Sequence, residues 1–289
     1  MKEVIIETKD DLTKLCGNNT IVGSFDFVRS KVIFKGENNV LIFAGEDNPG
    51  LLEDSTIIFH GNNSIVFMGE NHDRICHRID LQICGDNYCY IGKDTIFAGF
   101  TRQIRIMCAP KQNVFIGDNC LFADGTRIKT TDGHPLYELD NKSGKYIATN
   151  QPGSIYIGDH VWIGLESLIM KDTEIGSGAI IGANSFCKSQ KISSNSLYVG
   201  TKAKRVKENV FHRNTLWEVD TPSEENPEKY IYGKHSGYMG FTALKANILS
   251  KKDMNERIEY FKTLHKMSGF ENMDRFFISN SEADTKVTK

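Results

Sequence analysis

Histidine is the side chain best suited to move protons near neutral pH, with a reference pKa of about 6.5. The chain has eight histidines. One of them, His134, stands in Gly133-His134-Pro135 at the head of a long polar segment. A second group with chemical potential is Lys202, Lys204, Arg205 and Lys207, four positive charges within six residues. Lysine binds phosphate as a point charge; the competing reading is a solvated basic turn. His72 and His77 could begin a metal pair, but no third ligand stands out in the sequence and a plain surface role is preferred. His60, His212, His235 and His265 fall in no motif. The seven cysteines (16, 76, 84, 89, 108, 120 and 187) contain no CxxC pair. A zinc ribbon and a thioredoxin-type motif are therefore disfavoured, and reduced, partly buried thiols in a cytosolic protein are expected.

Composition narrows the classes. The 289 residues suffice for one elaborated domain or two small ones, with a sizeable core. Lys+Arg is 35 against Asp+Glu 37, a net charge of −2, which argues against a nucleic-acid partner held by a basic surface. No apolar run reaches the length of a membrane span, and MKEVIIETKDDL lacks the apolar stretch of a signal peptide. The expected location is the cytoplasm.

The elements that must position these groups are written as a repeat. From Ile157, every sixth residue reads Ile157, Ile163, Ile169, Ile175, Ile181, Cys187, Ser193 and Val199. The following residue is usually glycine, and the fourth after each isoleucine is always small: Val161, Ser167, Thr173, Ala179, Ser185. A period of six is neither helical nor that of a half-exposed strand. It fits a coil with three flat faces, each sending one aliphatic side chain to a narrow axis, joined by tight small-residue corners. Ile116, Phe122, Ile128 and His134 share the register. Upstream, similar segments place anchors at 42, 67, 91 and 116, about 25 residues apart. These read as wider coils on the same axis, with a separate small β-sheet domain as the alternative.

The flanks differ. Residues 134–154 are polar, lack the period and read as a loop thrown out of the coil; such loops are usually functional. Residues 219–229 read as an acidic linker. Ser250-Lys-Lys-Asp253 resembles a capping box, and Met254, Ile258, Phe261 and Leu264 predict a helix over about 251–267, closing the open end of the coil or packing on a neighbouring subunit. The tail SEADTKVTK has a disordered composition. The expected organisation is enlarged coils over 1–110, a hexapeptide core over 111–208, and a C-terminal extension over 209–289.

DGHPLYELD, IYIGDHVWIGLESLIMKDTEIGSGAIIGANSF and YVGTKAKRVK, in that order, resemble the hexapeptide-repeat acyltransferases, in particular the sugar and polysaccharide O-acetyltransferases. The resemblance covers about residues 111–208 and implies an all-β solenoid, the left-handed parallel β-helix. It implies a homotrimer with sites between adjacent β-helices, acetyl-CoA as donor co-substrate, no metal and a hydroxyl acceptor. On the same basis His134 is the general base and Trp162 the tryptophan of the acyl-transfer site. Gly164 and Leu165 follow it, with leucine where family members often have a small or hydroxyl residue; the backbone N–H survives the change and a side-chain donor does not. Ala183 matches the small residue beside the pantetheine arm, and Lys188, with Ser189 and Gln190 as alternatives, lies near the family's Thr-Lys pair. Lys204 and Lys207 would meet CoA phosphates. His160, where relatives often carry asparagine, reads as a solvated corner.

The expected function is acetyl-CoA-dependent O-acetylation of a sugar, with the extra flanks suggesting a capsule or other surface polysaccharide. Two alternatives stand beside it. One is N-acetylation of a nucleotide-linked amino sugar. The other is a non-catalytic β-helix scaffold, which would need the isoleucine ladder but not the ordered GHP, VWIG and basic motifs.

Overall fold

Short β-prone triplets separated by glycine-rich corners satisfy their backbone groups only by pairing with the coils above and below. The computed structural model describes residues 3–45, 49–71, 76–214, 230–234, 238–267 and 275–283. In it each coil contributes strands to a first and a second face, and from Ile96 onward to a third. The first and second faces are eight-stranded sheets that run through both the 25-residue and the 18-residue coils without a break. Ile79–Ile83 pairs with Ile104–Cys108, that with Arg127–Lys129, and that with Leu168–Met170, all in parallel. The enlarged coils are thus on the same axis, and the separate-domain alternative falls. The third face runs from Ile96–Phe97 through Leu121–Phe122, Trp162–Ile163 and Ile180–Ile181 to Ser196–Val199. A separate three-stranded sheet, Phe25–Val28, Gly50–Glu53 and Cys76–His77, accompanies the upstream coils.

The axis is filled as the period requires. Ile157, Ile163, Ile169, Ile175, Ile181 and Cys187 are fully buried. The last two positions of the series are not the ones the six-residue spacing names. Ile175 pairs with Ile192 and Ile181 with Tyr198, so the last coil is one residue short, and Val199 faces outward. Tyr198 is large enough to close the end of the core, and its hydroxyl lies 3.3 Å from Ser193 Oγ.

The outer face of the second sheet is also apolar. Phe67, Tyr90 and Phe115 stack in a column, with ring centroids 5.1 and 4.8 Å apart. The C-terminal extension covers this column with α1 (Gly240–Leu249), α2 (Met254–Lys266) and residues 275–283. Phe241, Leu244, Ile248, Phe261, Leu264 and Phe276 form the buried side of this layer. The predicted helix therefore exists, but it lies along the flank of its own β-helix and not over the open end. Its cap is Asp253, whose carboxylate accepts from the Glu256 N–H at 2.9 Å, while Glu256 Oε2 accepts from the Lys252 N–H. Ser250 instead ends α1. The first residues of the supposed disordered tail are folded, with Ala283 buried; the acidic linker 219–229 and residues 284–289 lie outside the described residues.

One side chain joins the layers. Arg275, almost wholly buried, donates to Asp159 Oδ2 at 3.0 Å, to Asp118 Oδ2 at 2.6 Å and to the Leu264 carbonyl of α2 at 3.3 Å. Its own carbonyl accepts from Gly240 N–H at the start of α1. Asp118 and Asp159 are corner residues of successive coils, and the Asp118 N–H donates to Asp159 Oδ1 at 2.9 Å. Burial pushes the Asp118 carboxyl up, to about 7, against the pull of Arg275.

Candidate active site

The chain leaves the coil after Thr130, whose carbonyl accepts from the N–H of Gly153 where it returns. Gly133, at φ 101°, supplies a backbone turn that a side chain would strain. Beyond it the excursion is a hairpin, Tyr137–Asp140 paired antiparallel with Lys145–Ala148, and not an irregular loop. Its turn is built by Asp140, which accepts from Lys142 N–H and from Ser143, with Gly144 at φ 66°. His134 stands exposed at the base of this hairpin and not in the inward register of Ile116, Phe122 and Ile128.

Three residues to which the sequence assigned no role, Asp132, Lys171 and Asn150, hold this base. Lys171, 5 % exposed, donates to Asp132 Oδ2 and to the Asn150 carbonyl, both at 2.6 Å. The Asn150 amide donates to the His134 carbonyl at 2.8 Å and accepts from Leu136 N–H. Lys188 pairs with the other Asp132 oxygen at 2.9 Å. Partial burial works the other way, but the two lysines hold the Asp132 carboxyl low, at about 2. Only the position of Asp132, two residues before His134, hinted at this clamp. It places Lys188 on the His134 corner and away from the other expected CoA contacts.

Those contacts gather elsewhere. Trp162 is 38 % exposed on the third face. Leu165 and Ala183 sit exposed at the same corner of successive coils, just past that face. Gly164 and Glu166 donate into the coil ladder, as do Gly182 and Asn184, whereas no such bond takes the N–H of Leu165 or Ala183 among the described residues. Lys204 and Lys207 lie exposed on Lys204–Glu208, which folds back antiparallel to extend the third face. Trp162, Ile180, Leu197 and Lys207 follow one another across that sheet. At the usual strand spacing Lys207 is about 14 Å from Trp162 along the row.

His134 and Trp162 do not meet in one chain. In a coil the third face is followed by the Leu165 corner, then the first face, then the Lys171 corner where the hairpin of His134 is fastened. A whole face of the prism separates them.

His160 is not solvated. It is a corner residue at φ 53°, yet only 1 % exposed. Its ring accepts from Asn119 at 2.9 Å, donates to the His212 carbonyl at 2.8 Å and stacks on the His212 ring with centroids 4.1 Å apart. The segment that covers it, residues 211–214 and 230–232, comes from beyond the coils. Nothing in the corner motif announces it. His72 and His235 lie outside the described residues, as does the side chain of His77.

Three parallel sheets around one aliphatic axis, with a hairpin bearing a histidine and an outer row of indole, small corner residues and lysines, define the class: a left-handed β-helix of the hexapeptide type. The model of the bacterial transferase hexapeptide (six repeats) matches residues 154–189. A polysialic acid O-acetyltransferase of Neisseria meningitidis is 31% identical over 129 residues, covering 38% of this chain and 57% of that protein. The chain thus spans little more than half the length of that relative. A putative lipopolysaccharide biosynthesis O-acetyl transferase, WbbJ, of Escherichia coli (strain K12) is 29% identical over 133 residues, 44% of this chain and 67% of that protein. Among solved structures, the polySia specific acetyltransferase NeuO superposes with a TM-score of 0.54 at 30% identity, over 71% of this chain and 90% of that one. The chain belongs to the hexapeptide-repeat acyltransferase family.

Proposed function

We propose that the protein is an acetyl-CoA-dependent O-acetyltransferase that modifies a sugar hydroxyl of a bacterial capsule or other surface polysaccharide, working as a cytoplasmic homotrimer. The observation that carries the reading is the division of site groups between two separate edges of the prism. A clamped, exposed His134 lies on one edge, and the row of Trp162, Leu165, Ala183 and the terminal lysines lies on another. Each edge is half a site, and a second copy can bring the two together. The hairpin offers apolar side chains for that contact: Leu136, Tyr137, Leu139, Tyr146 and Ile147 are all about half exposed or more. No described helix is long and apolar enough to cross a membrane.

In this mechanism the neutral His134 imidazole takes the proton of the acceptor hydroxyl as its oxygen attacks the thioester carbonyl. The negative charge that develops on the carbonyl oxygen needs a fixed donor, a role open to the Leu165 N–H. Collapse of the intermediate breaks the C–S bond, and the imidazolium returns its proton to the departing CoA sulfur. Acetyl-CoA lying up the third face would set its thioester by Trp162 and its phosphates by Lys204 and Lys207. The clamp of Asp132, Lys171 and Asn150 keeps the hairpin base fixed while the histidine works.

The names of the relatives choose the acceptors to try. Polysialic acid and lipopolysaccharide fragments are incubated with acetyl-CoA and the protein and examined by mass spectrometry before and after mild alkali. A gain of one acetyl group that alkali removes is expected. An alkali-stable gain on an amino sugar nucleotide would move the reading to N-acetylation, and no transfer to any sugar hydroxyl would count against it.

A further inference from the structure

His212 lies beyond the last coil, in a stretch that matches no motif, yet its ring is set against the exposed Trp162 indole at 5.8 Å between centroids, inclined by 42°. The ring is held through Nε2 and by stacking on His160. Asn119 donates to His160 Nδ1 and His160 Nε2 donates to the His212 carbonyl. The His212 Nε2–H donates to Asn214 Oδ1 at 3.1 Å, and the Asn214 amide returns to Asn119 Oδ1 at 2.9 Å. This circuit is closed: it puts a hydrogen on Nε2 of both rings and makes His160 Nδ1 an acceptor, so the His160 ring is neutral. Burial, and then the neighbouring His160, holds His212 down at about 3, so the ring stays uncharged. Its Nδ1 is buried with no hydrogen-bond partner among the described residues, an arrangement that costs stability.

We propose that His212 is a positioning residue for acyl transfer: the segment after the last coil lays a fixed, neutral ring behind Trp162 and sets the angle at which the indole faces the thioester. The proposal rests on the reading of Trp162 as a wall of the acyl site. It ties the C-terminal extension to the chemistry by a route that avoids the hairpin and the lysines.

The test uses the full-length protein with Trp217→Phe, which leaves Trp162 as the sole tryptophan. His212→Ala is expected to raise the acrylamide quenching constant of Trp162 roughly twofold and to lower kcat about tenfold, as small displacements of site groups do. His212→Phe, which restores a flat ring, should recover most of both. In a Trp162→Phe background His212→Ala should have little further effect on kcat, since the two changes act through one contact. Unchanged quenching in folded His212→Ala, or a full loss of kcat that persists without the indole, would overturn the proposal. Should His212→Ala not fold, Asn214→Ala frees the ring without removing it; greater quenching supports the proposal and none overturns it. Wild-type kinetics for Trp162→Phe alone would instead sink the reading of the acyl site, while quenching would still report whether His212 sets the indole.

Discussion

Replacing His134 by alanine is expected to lower kcat by about 10²–10⁴, the usual worth of a positioned general base, with the fold untouched. The structural half of this expectation follows from placement. His134 is exposed at the foot of the hairpin, and the contact it gives the clamp is its backbone carbonyl, received by the Asn150 amide. Alanine keeps that carbonyl. The aliphatic ladder through Ile128 and Ile169 is not touched. KM for acetyl-CoA should change little, because in the proposed mechanism the base acts on the hydroxyl and the donor is held on another face. Steady-state kinetics with circular dichroism on the same preparation make the check. His60, exposed on the surface, is the fitting control. His160 cannot serve, because its replacement would break the buried circuit with Asn119 and His212. Near-wild-type turnover by folded His134→Ala would remove the mechanism and favour a scaffold.

Arg275→Ala should cost about 3–5 kcal/mol, the range found when one member of a buried ion pair is deleted. The guanidinium is the only described positive group donating to both Asp118 and Asp159, neither of which reaches solvent appreciably. Without it two carboxylates face each other in a closed site. The Leu264 carbonyl at the end of α2 loses a donor as well. The helices should then detach from the aromatic column of Phe67, Tyr90 and Phe115, while the coil remains. Urea unfolding gives the magnitude, and limited proteolysis should cut first within the extension. Lysine is not expected to rescue, since it lacks the planar fork that reaches both aspartates. A loss below about 1 kcal/mol would show that aromatic packing alone holds the extension.

The coil was legible because it is local. Five isoleucines at a spacing of six, with small corners, specify three faces and an axis without reference to anything distant. The same logic put the enlarged coils on the axis, but only half of their anchors point into it: Ile42 pairs with Phe67, yet Phe67 pairs with Tyr90 and Ile91 with Met68, so Ile42 and Phe67 face the C-terminal layer while Ile91 and Ile116 face the axis. It failed at the last coil, where one residue is missing and Ile192 and Tyr198 take the inward positions expected of Ser193 and Val199. The covering of the second sheet left a trace that alternation would have exposed: Ile65–Met68 and Tyr88–Ile91 are apolar at every position, as strands buried on both faces are. The helix α1 has no side-chain cap at its start, so the usual boundary signal was missing. What no local pattern contains is the partner of a corner residue. Asp118, Asp159 and His160 look like polar corners until Arg275 and His212, 116 and 52 residues away from Asp159 and His160, are folded against them. The hairpin clamp is of the same kind, since Lys171 sits in an ordinary corner and gains its meaning from Asp132 and Asn150.

In the proposed enzyme the active site is assembled from the His134 edge of one copy and the Trp162 face of another. Complementation between His134→Ala and Trp162→Ala checks this. Each variant alone is expected to be nearly inactive. Co-expressed in equal amounts and assembled at random, they should give oligomers in which about a quarter of the shared sites carry both intact groups. Acetyl transfer should return to about that fraction of the wild-type rate, well above either parent. A mixed oligomer that forms normally and remains as inactive as its parents would contradict the shared site.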